Sequence, residues 1–264
     1  MNKKYFVLIP FALIITSVVV YFFIIKNKNQ MQEIHPIQGP ITESIYGLGT
    51  VQSNNIFNLK LGVTTMIKKV FVKEGEFVTK GQRLLDFYEN AFQNQFAPFE
   101  GTVTQLNYYA GETVFPQSPL LTIMDLKDKY ISVVLDQEGA LLVKKKQIAK
   151  LSFNTFKKTF EGTVKSLFPK QGQIVANIEC NQLPDEILPG MTPDVAIIVR
   201  TIPNATLIPI QAISNGKIQL AKSGTKNFQW TPVQLGIIDA DWAEITSPEI
   251  ALDDTLLIPK PLGK

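Results

Sequence analysis

The sequence predicts a mainly β protein behind an N-terminal transmembrane helix, and three observations support this. A long apolar run extends from Tyr5 to Ile25. After this run, glycine and proline separate short runs of β-branched and aromatic residues, a spacing that is typical of small sandwiches and barrels. A strand–turn–strand pattern at residues 67–78 then returns at residues 103–114.

The apolar run is long enough to cross a membrane, because about 20 helical residues span a bilayer core. The segment that follows, 26–30, offers no small-residue cleavage site, so we expect an uncleaved signal anchor over residues 5–25. Two lysines flank the run on each side, and this charge pattern leaves the orientation open. The aromatic residues of the predicted anchor are Tyr5, Phe6, Phe11, Tyr21, Phe22 and Phe23.

Composition argues against several classes of function. The 26 Lys and Arg residues nearly balance 23 Asp and Glu residues, so we expect no nucleic-acid partner. One cysteine, Cys180, and one histidine, His35, are too few for a disulfide within the chain, a zinc centre or a catalytic triad. We expect no enzyme, no metal and no cofactor. Cys180 is interpreted as a packed core thiol, and the pair Asp253-Asp254 as surface turn residues rather than general acids or bases.

Predicted strands follow the short apolar runs, and one short helix is expected. Asp136 is placed to cap the helix N-terminus, Glu138 lies in its first turn, and the run Lys144–Lys146 is expected at its C-terminal end. The predicted strands are Ile67–Val72, Arg83–Tyr88, Gly101–Leu106, Leu120–Met124, Tyr130–Leu135, Gly162–Leu167, Val195–Arg200 and Thr206–Ile210.

The internal repeat is the most informative pattern. In each copy a strand reaches a Gly-Glu turn, where glycine permits a positive φ, and then returns as a second strand. Two such copies can close one flattened barrel by burying their valine and leucine faces against each other. The identical pairs are Gly75/Gly111, Glu76/Glu112, Val78/Val114, Leu84/Leu120 and Leu85/Leu121.

This double unit resembles the biotinyl/lipoyl fold. The segment from Ala97 through Pro98 and Gly101 to Val103 is similar to the Ala-Pro-x-x-Gly-x-Val opening of that fold's second half. A true carrier domain displays a lysine between its halves, to which the cofactor is attached. The stretch from Gly81 to Leu126 contains no lysine, so a carrier function is excluded on chemical grounds.

Lipoyl-like halves behind an anchor resemble the HlyD/MacA-type membrane-fusion family. Residues 130–138 and 161–167 are similar to strands of that family's β-barrel domain. Pro189, Gly190 and Met191 lie in a segment that resembles its Leu-x-Pro-Gly-Met barrel-closing signature, and Pro209 lies in one that resembles the start of its membrane-proximal domain. The resemblance implies an elongated chain with the following parts: cytoplasmic N-terminus 1–4, anchor 5–25, linker and first part of the membrane-proximal domain 26–58, lipoyl-like domain 59–125, β-barrel domain 126–201 and the rest of the membrane-proximal domain 202–264.

The resemblance also implies a function and a location. It implies a single-pass protein of the bacterial inner membrane with a periplasmic body, acting as the adaptor of an efflux or secretion transporter. The partner would be a permease of the ABC or RND type, with the ABC type favoured, and the adaptor would form a homo-oligomeric ring, commonly a hexamer. The alternative is a membrane-anchored, β-rich envelope scaffold without a transporter.

The sequence departs from the family at one point. Most members insert an α-helical hairpin between the lipoyl halves, but only Glu89–Phe96 lies between them here. Two helices and a turn need about 20 residues or more. The hairpin is therefore absent, and contact with an outer-membrane channel through helix tips is not expected.

Gln117 lies in a loop similar to one that forms a constriction in MacA-like rings. Its uncharged amide is either a gate on the ring axis or an ordinary exposed turn residue.

Overall fold

The computed structural model describes residues 31–88, 94–180 and 183–260, and the predicted mainly β class is confirmed in them. Within those residues, none of the helices has the length and apolar character needed to cross a bilayer. The predicted anchor, 5–25, with all six of its aromatic residues, lies outside the described residues.

Twenty strands, one α-helix and one 3₁₀ helix follow one another along the described residues. In chain order they are β1 (Met31–Ile34), β2 (Ile37–Ser53), β3 (Ile56–Lys60), β4 (Thr65–Val70), β5 (Phe77–Val78), β6 (Arg83–Phe87), β7 (Asn94–Phe96), β8 (Gly101–Leu106), β9 (Thr113–Val114), β10 (Pro119–Met124), β11 (Lys129–Leu135), α1 (Gln137–Leu142), β12 (Ile148–Ser152), β13 (Thr159–Lys170), β14 (Gln173–Glu179), β15 (Asp194–Pro209), a 3₁₀ helix (Ile210–Ala212), β16 (Lys217–Ala221), β17 (Gln229–Pro232), β18 (Gln234–Asp239), β19 (Trp242–Ser247) and β20 (Thr255–Pro259).

The chain divides into two units. Of the described residues, the smaller unit takes 31–43 and 200–260, and the larger unit takes those between 44 and 199. The larger unit holds two separate apolar cores, one inside a β-barrel and one inside the duplicated strands β3–β10.

The barrel of the larger unit is an antiparallel sheet in the order β12-β13-β14-β11-β2. It closes because β12 also pairs with β15, with Ala149 opposite Ile197, and because β2 bonds to the segment just before β15. Alternating side chains of each strand point inward, as expected for a pleated strand with one buried face. The fully buried residues of this core include Val51, Ile131, Val133, Ala149, Leu151, Ala176, Ile178, Ile187 and Ile197.

The duplicated part of the larger unit consists of two four-stranded sheets, in the orders β7-β6-β4-β9 and β3-β10-β8-β5. All pairs in both sheets are antiparallel. The repeated apolar positions fill the space between them, and each of the following is fully buried: Ile67, Val78, Leu84, Leu85, Val103, Val114, Leu120 and Leu121.

The smaller unit contains a sheet in the order β1-β20-β16-β17. Its β15 segment pairs with β19, and β19 pairs with β18. Two apolar clusters lie in this unit, one around Ile218 and Leu256 and one around Ile41 and Leu207.

The short helix α1 lies where the sequence places it, but its C-terminal end differs from the prediction. The Asp136 carboxylate accepts a hydrogen bond from the Gly139 amide at 2.7 Å, the expected cap. The last turn contains no basic residue, because the helix ends at Leu142. The expectation that the run Lys144–Lys146 neutralises the helix end is therefore wrong. The run instead forms the turn into β12, where the Lys146 amide donates to the Val164 carbonyl at 2.8 Å.

Candidate functional site

The duplicated strands are related by a constant shift along the sequence. Strand β4 begins at Thr65 and β8 begins at Gly101, a shift of 36 residues, and β5 and β9 are separated by the same shift. The relation extends to the pairing partners, because β6 pairs with β7 just as β10 pairs with β3. The repeat therefore has a pseudo-twofold symmetry.

Each Gly-Glu turn binds the strand of the other copy. The Gly75 amide donates to the Val103 carbonyl at 2.8 Å, and the Gly111 amide donates to the Ile67 carbonyl at 2.8 Å. The two hydrogen bonds are counterparts under the 36-residue shift. Because the turn of each copy donates to a strand of the other copy, neither half can complete its sheet alone.

The glutamates of the two turns close them in the same way. The Glu76 carboxylate accepts from the Lys73 amide at 3.0 Å, and the Glu112 carboxylate accepts from the Tyr109 amide at 2.8 Å. The identity of the Gly-Glu pair in both copies thus has a local structural cause, which is a turn held by its own side chain.

Replacing either turn glycine by alanine is expected to lower the free energy of unfolding by about 1 kcal/mol, a cost of backbone strain alone. Gly75 has a φ of +79° and Gly111 a φ of +89°, whereas open space surrounds the position of an added Cβ at both. Gly62→Ala is the matched control, because Gly62 is equally open and its φ is outside the left-handed range. Urea titration of Gly75→Ala, Gly111→Ala and Gly62→Ala measures the difference. Equal stability of all three variants would contradict the assignment of these turns.

Gln117 lies at the counterpart of Gly81 and shares its backbone conformation. Their φ angles are +63° and +81°. The Gln117 amide donates to the Leu61 carbonyl at 2.7 Å, and the Gly81 amide donates to the Ala97 carbonyl at 2.8 Å, again counterparts under the shift. A side chain in this left-handed conformation is strained, and the Gln117 side chain is exposed to solvent.

The base of the short connection between β6 and β7 is held by a charged group. The Arg83 guanidinium binds the Asp86 carboxylate through two hydrogen bonds, of 2.7 and 2.6 Å, and also donates to Asn94. Strand β6 ends at Phe87 and β7 begins at Asn94. Arg83 thus joins the two ends of this connection, a contact that no local sequence pattern indicates.

The glycine and proline residues of the motifs singled out in the sequence lie where two strands approach closely or where the chain bends. A Cβ at Gly101 would lie 2.9 Å from the Met124 carbonyl oxygen, so this strand needs glycine where it approaches β10. Pro98 is exposed in the bend before β8, Pro189 is half-buried, and Pro209 ends β15 directly before the 3₁₀ helix.

The segment with Gly190 and Met191 closes the barrel. The Gly190 amide donates to the Val51 carbonyl at 2.9 Å, and the Val51 amide donates to the Met191 carbonyl at 2.8 Å. Gly190 has a φ of +95°, which lets the chain turn into this pairing.

The side chain of Lys129 binds the loop that precedes this closing segment, a contact that was not predicted from the sequence. Its buried ammonium donates to the carbonyl oxygens of Pro184 at 3.0 Å and Ile187 at 2.7 Å. Burial lowers the pKa of Lys129, and the negative charges of Asp185, Glu186 and Asp125 act in the opposite direction. The side chain of Ile187, fully buried in the barrel core, is fixed by this contact.

In the smaller unit, the prediction that Asp253-Asp254 are both surface turn residues is wrong for Asp254. The residue is 1% exposed, and its carboxylate accepts from Lys222 Nζ at 2.8 Å, the Ser223 amide at 3.0 Å and the Ala251 amide at 3.1 Å. All of these contacts join segments of the smaller unit, so the carboxylate is structural.

Cys180 and His35 have no arrangement that favours catalysis. Cys180 is half-buried one residue beyond β14 and packs against the barrel core, and burial raises the pKa of its thiol to about 12. A thiol with that pKa is a poor nucleophile at neutral pH. His35 Nδ1 lies 2.8 Å from the Asp254 carbonyl oxygen, to which it donates a hydrogen bond. Among the described residues, no three His, Cys, Asp or Glu side chains are grouped to hold a metal ion.

Comparisons with known proteins give a consistent fold. No protein-family model matches the sequence, and no curated protein matches it. The fold is similar to that of MacA from Actinobacillus actinomycetemcomitans, with a TM-score of 0.69 and 16% identity over 84% of this chain and 98% of that one. ZneB from Cupriavidus metallidurans gives a TM-score of 0.55 and 11% identity over 88% and 93% of the two chains. The membrane fusion protein Spr0693 from Streptococcus pneumoniae R6 gives 0.50 and 12% over 60% and 100%. At these identities the likeness concerns the fold.

Proposed function

We propose that this chain, whose fold is that of the membrane fusion proteins, is the periplasmic adaptor subunit of an efflux or secretion transporter. Residues 5–25 anchor it in the bacterial inner membrane, and the body lies in the periplasm. The adaptor binds an inner-membrane permease, of ABC type rather than RND type, and forms a homo-oligomeric ring, commonly a hexamer. Its work is binding and conformational coupling rather than catalysis.

The observation that carries the proposal is the duplicated β unit without an acceptor lysine. The unit has the paired Gly-Glu turns that a lipoyl-like domain needs, but between Gly81 and Leu126 no amine is available for a lipoyl or biotinyl group. A lipoyl-like unit without its chemistry, next to a barrel closed by the Pro189–Met191 segment, favours an adaptor role. The likeness to the membrane fusion protein Spr0693 supports the same role.

The short connection between β6 and β7 limits which components the proposed adaptor can contact. Six residues, 88–93, separate the two strands, too few for two helices and a turn. This adaptor therefore does not reach an outer-membrane channel through a helical tube. It regulates or caps its permease, or bridges to another periplasmic component through the end of the lipoyl-like domain.

Gln117 is proposed as the ring gate, and two variants separate its side chain from its backbone. Gln117→Gly relieves the strain of the left-handed backbone, so we expect it to raise the free energy of unfolding by up to about 1 kcal/mol. Because it also removes the side-chain amide, we expect it to change the transport rate. Gln117→Asn is the matched control, because asparagine tolerates the same backbone and keeps an amide. Transport assays in cells measure the effect. A transport rate of Gln117→Gly equal to that of the wild type would contradict the gate and leave Gln117 an ordinary turn residue.

The decisive experiment is cross-linking in intact cells, followed by detergent purification of the full-length protein and identification of what comes with it. Recovery of a permease, with or without an ATPase, would support the adaptor and identify the transporter class. Recovery of the chain alone, or with unrelated envelope proteins, would favour the scaffold instead.

A further inference from the structure

The β1-β20-β16-β17 sheet of the smaller unit has one face in the core and one face outside. Leu220 and Leu256 are paired across β16 and β20, and both belong to the apolar cluster of this unit. Because side chains alternate along a strand, their neighbours Gln219 and Leu257 point to the other face. Trp230 of β17 is paired with Gln219, so it belongs to this outer face as well.

The outer face is mainly apolar although it is accessible to solvent. Trp230 is 55% exposed and Met31 is 40% exposed. The pairing registers place two rows of side chains across the four strands, one with Met31, Pro259, Lys217 and Pro232, and one with Glu33, Leu257, Gln219 and Trp230. Apart from Lys217, Glu33 and Gln219, the members of both rows are apolar. Exposed apolar side chains grouped in this way mark an interaction surface.

The sequence keeps this face close to the membrane in the proposed anchored adaptor. Five residues, 26–30, separate the end of the predicted anchor from β1. A fully extended chain of that length spans about 20 Å at most, so Met31 lies within that distance of the hydrocarbon boundary. The headgroup region on each side of the bilayer is itself about 5–8 Å thick. The row that begins at Met31 is therefore within reach of the headgroups.

The charges at the two ends of the sheet differ in sign. Lys217 belongs to the Met31 row and is exposed, and Lys260 follows the last residue of β20 at the same end. The loop before β20, at the other end of that strand, contains the exposed residues Glu249 and Asp253. Anionic headgroups attract basic side chains and repel acidic ones. The end of the sheet nearest the predicted anchor thus has the charge that suits a bilayer surface.

We propose that the outer face of this sheet lies on the lipid headgroups, with the indole of Trp230 at the headgroup level. Tryptophan is enriched at membrane interfaces because its ring is apolar and its N–H needs a polar partner. Aromatic and apolar side chains next to lysines are the composition of surfaces that lie on a membrane. This second contact beside the anchor would hold the smaller unit at a constant height on the bilayer. The inference rests on the anchor of the proposed adaptor.

The test reconstitutes the full-length protein into vesicles of phosphatidylcholine and phosphatidylglycerol, with or without bromine on the acyl chains near the headgroups. Bromine quenches the emission of a tryptophan that it contacts. The chain has two tryptophans, so Trp242→Phe reports on Trp230 alone, and Trp230→Phe is the matched control. Trp242 is half-buried and packs against the apolar cluster around Ile41 and Leu207. We expect brominated vesicles to lower the emission of Trp242→Phe about twofold, as for an interfacial indole, and to leave that of Trp230→Phe unchanged.

Flotation of the vesicles in a density gradient separates the failure of this inference from that of the anchor. Protein that floats but gives equal emission in both kinds of vesicle for both variants would overturn the inference and leave the proposed function standing. Protein that does not float would contradict the predicted anchor and the inference together. A photoreactive phenylalanine in place of Trp230 that cross-links to a protein in native membranes, and not to lipid, would show that a permease covers this face.

A second comparison does not depend on the folding of Trp242→Phe. The wild type and Trp230→Phe are measured in the same vesicles, and the exposed position of Trp230 tolerates the smaller ring. Quenching of the wild type that is lost in Trp230→Phe would assign the lipid contact to Trp230. Equal fractional quenching of the two would overturn it.

Discussion

Replacing Lys129 by methionine is expected to lower the free energy of unfolding of the larger unit by about 2–3 kcal/mol. The substitution keeps the apolar stem but removes the donor to the carbonyl oxygens of Pro184 and Ile187. A buried carbonyl left without a donor costs about 1–3 kcal/mol. Part of this is offset, because the variant no longer buries the ammonium whose pKa is lowered by desolvation.

The two units can be followed separately in this experiment. Both tryptophans, Trp230 and Trp242, belong to the smaller unit, so their emission reports on that unit. Far-UV circular dichroism reports on the strands of both. Lys129→Met should therefore shift the urea transition seen by circular dichroism and leave the tryptophan transition in place. Lys127→Met, at an exposed position two residues away, is the control. Equal midpoints for the two variants would mean that the buried contacts do not stabilise the closing loop.

The duplicated unit could be predicted from the sequence because its signals are local. A glycine at a positive φ and a glutamate that bonds its own turn recur at Gly75-Glu76 and Gly111-Glu112, so both copies keep the same residues. The edge strands β3 and β7 obey the same symmetry but were not predicted as a repeat. They bury few side chains, so the sequence keeps little of the pattern there; Leu59 is buried, whereas its counterpart Gln95 is not.

The buried polar contacts of Lys129 and Asp254 could not be predicted, because their partners lie far away in the sequence. Lys129 stands in a charged stretch that is typical of a surface turn, and its acceptors lie 55 and 58 residues further along the chain. The Asp254 carboxylate likewise accepts from remote donors, since Ser223 and Lys222 lie 31 and 32 residues earlier in the chain. Local periodicity carries no information on such pairs, and only the folded topology brings them together.

Replacing Asp254 by asparagine is expected to lower the free energy of unfolding of the smaller unit by about 3 kcal/mol. The neutral side chain loses the ion pair with Lys222, and its amide group cannot accept from all the donors that surround the carboxylate. Tryptophan emission during urea unfolding measures the change. Asp253→Asn is the matched control, since that neighbour is exposed. Equal shifts for the two variants would contradict a structural role that is specific to the buried carboxylate.

The same carboxylate gives the smaller unit a defined pH dependence. Burial acts to raise the pKa of Asp254, but hydrogen bonds from Lys222, Ser223 and Ala251 and the charge of Lys222 lower it below the ordinary value of 3.8. As the pH falls, the unfolded chain therefore binds a proton at this residue before the folded chain does. The stabilisation is complete above that ordinary value and is lost as the pH falls through the folded pKa. Between about pH 5 and pH 2 the tryptophan transition of the wild type should move further than that of Asp254→Asn. Parallel movement of both would assign the acid sensitivity to other carboxyl groups.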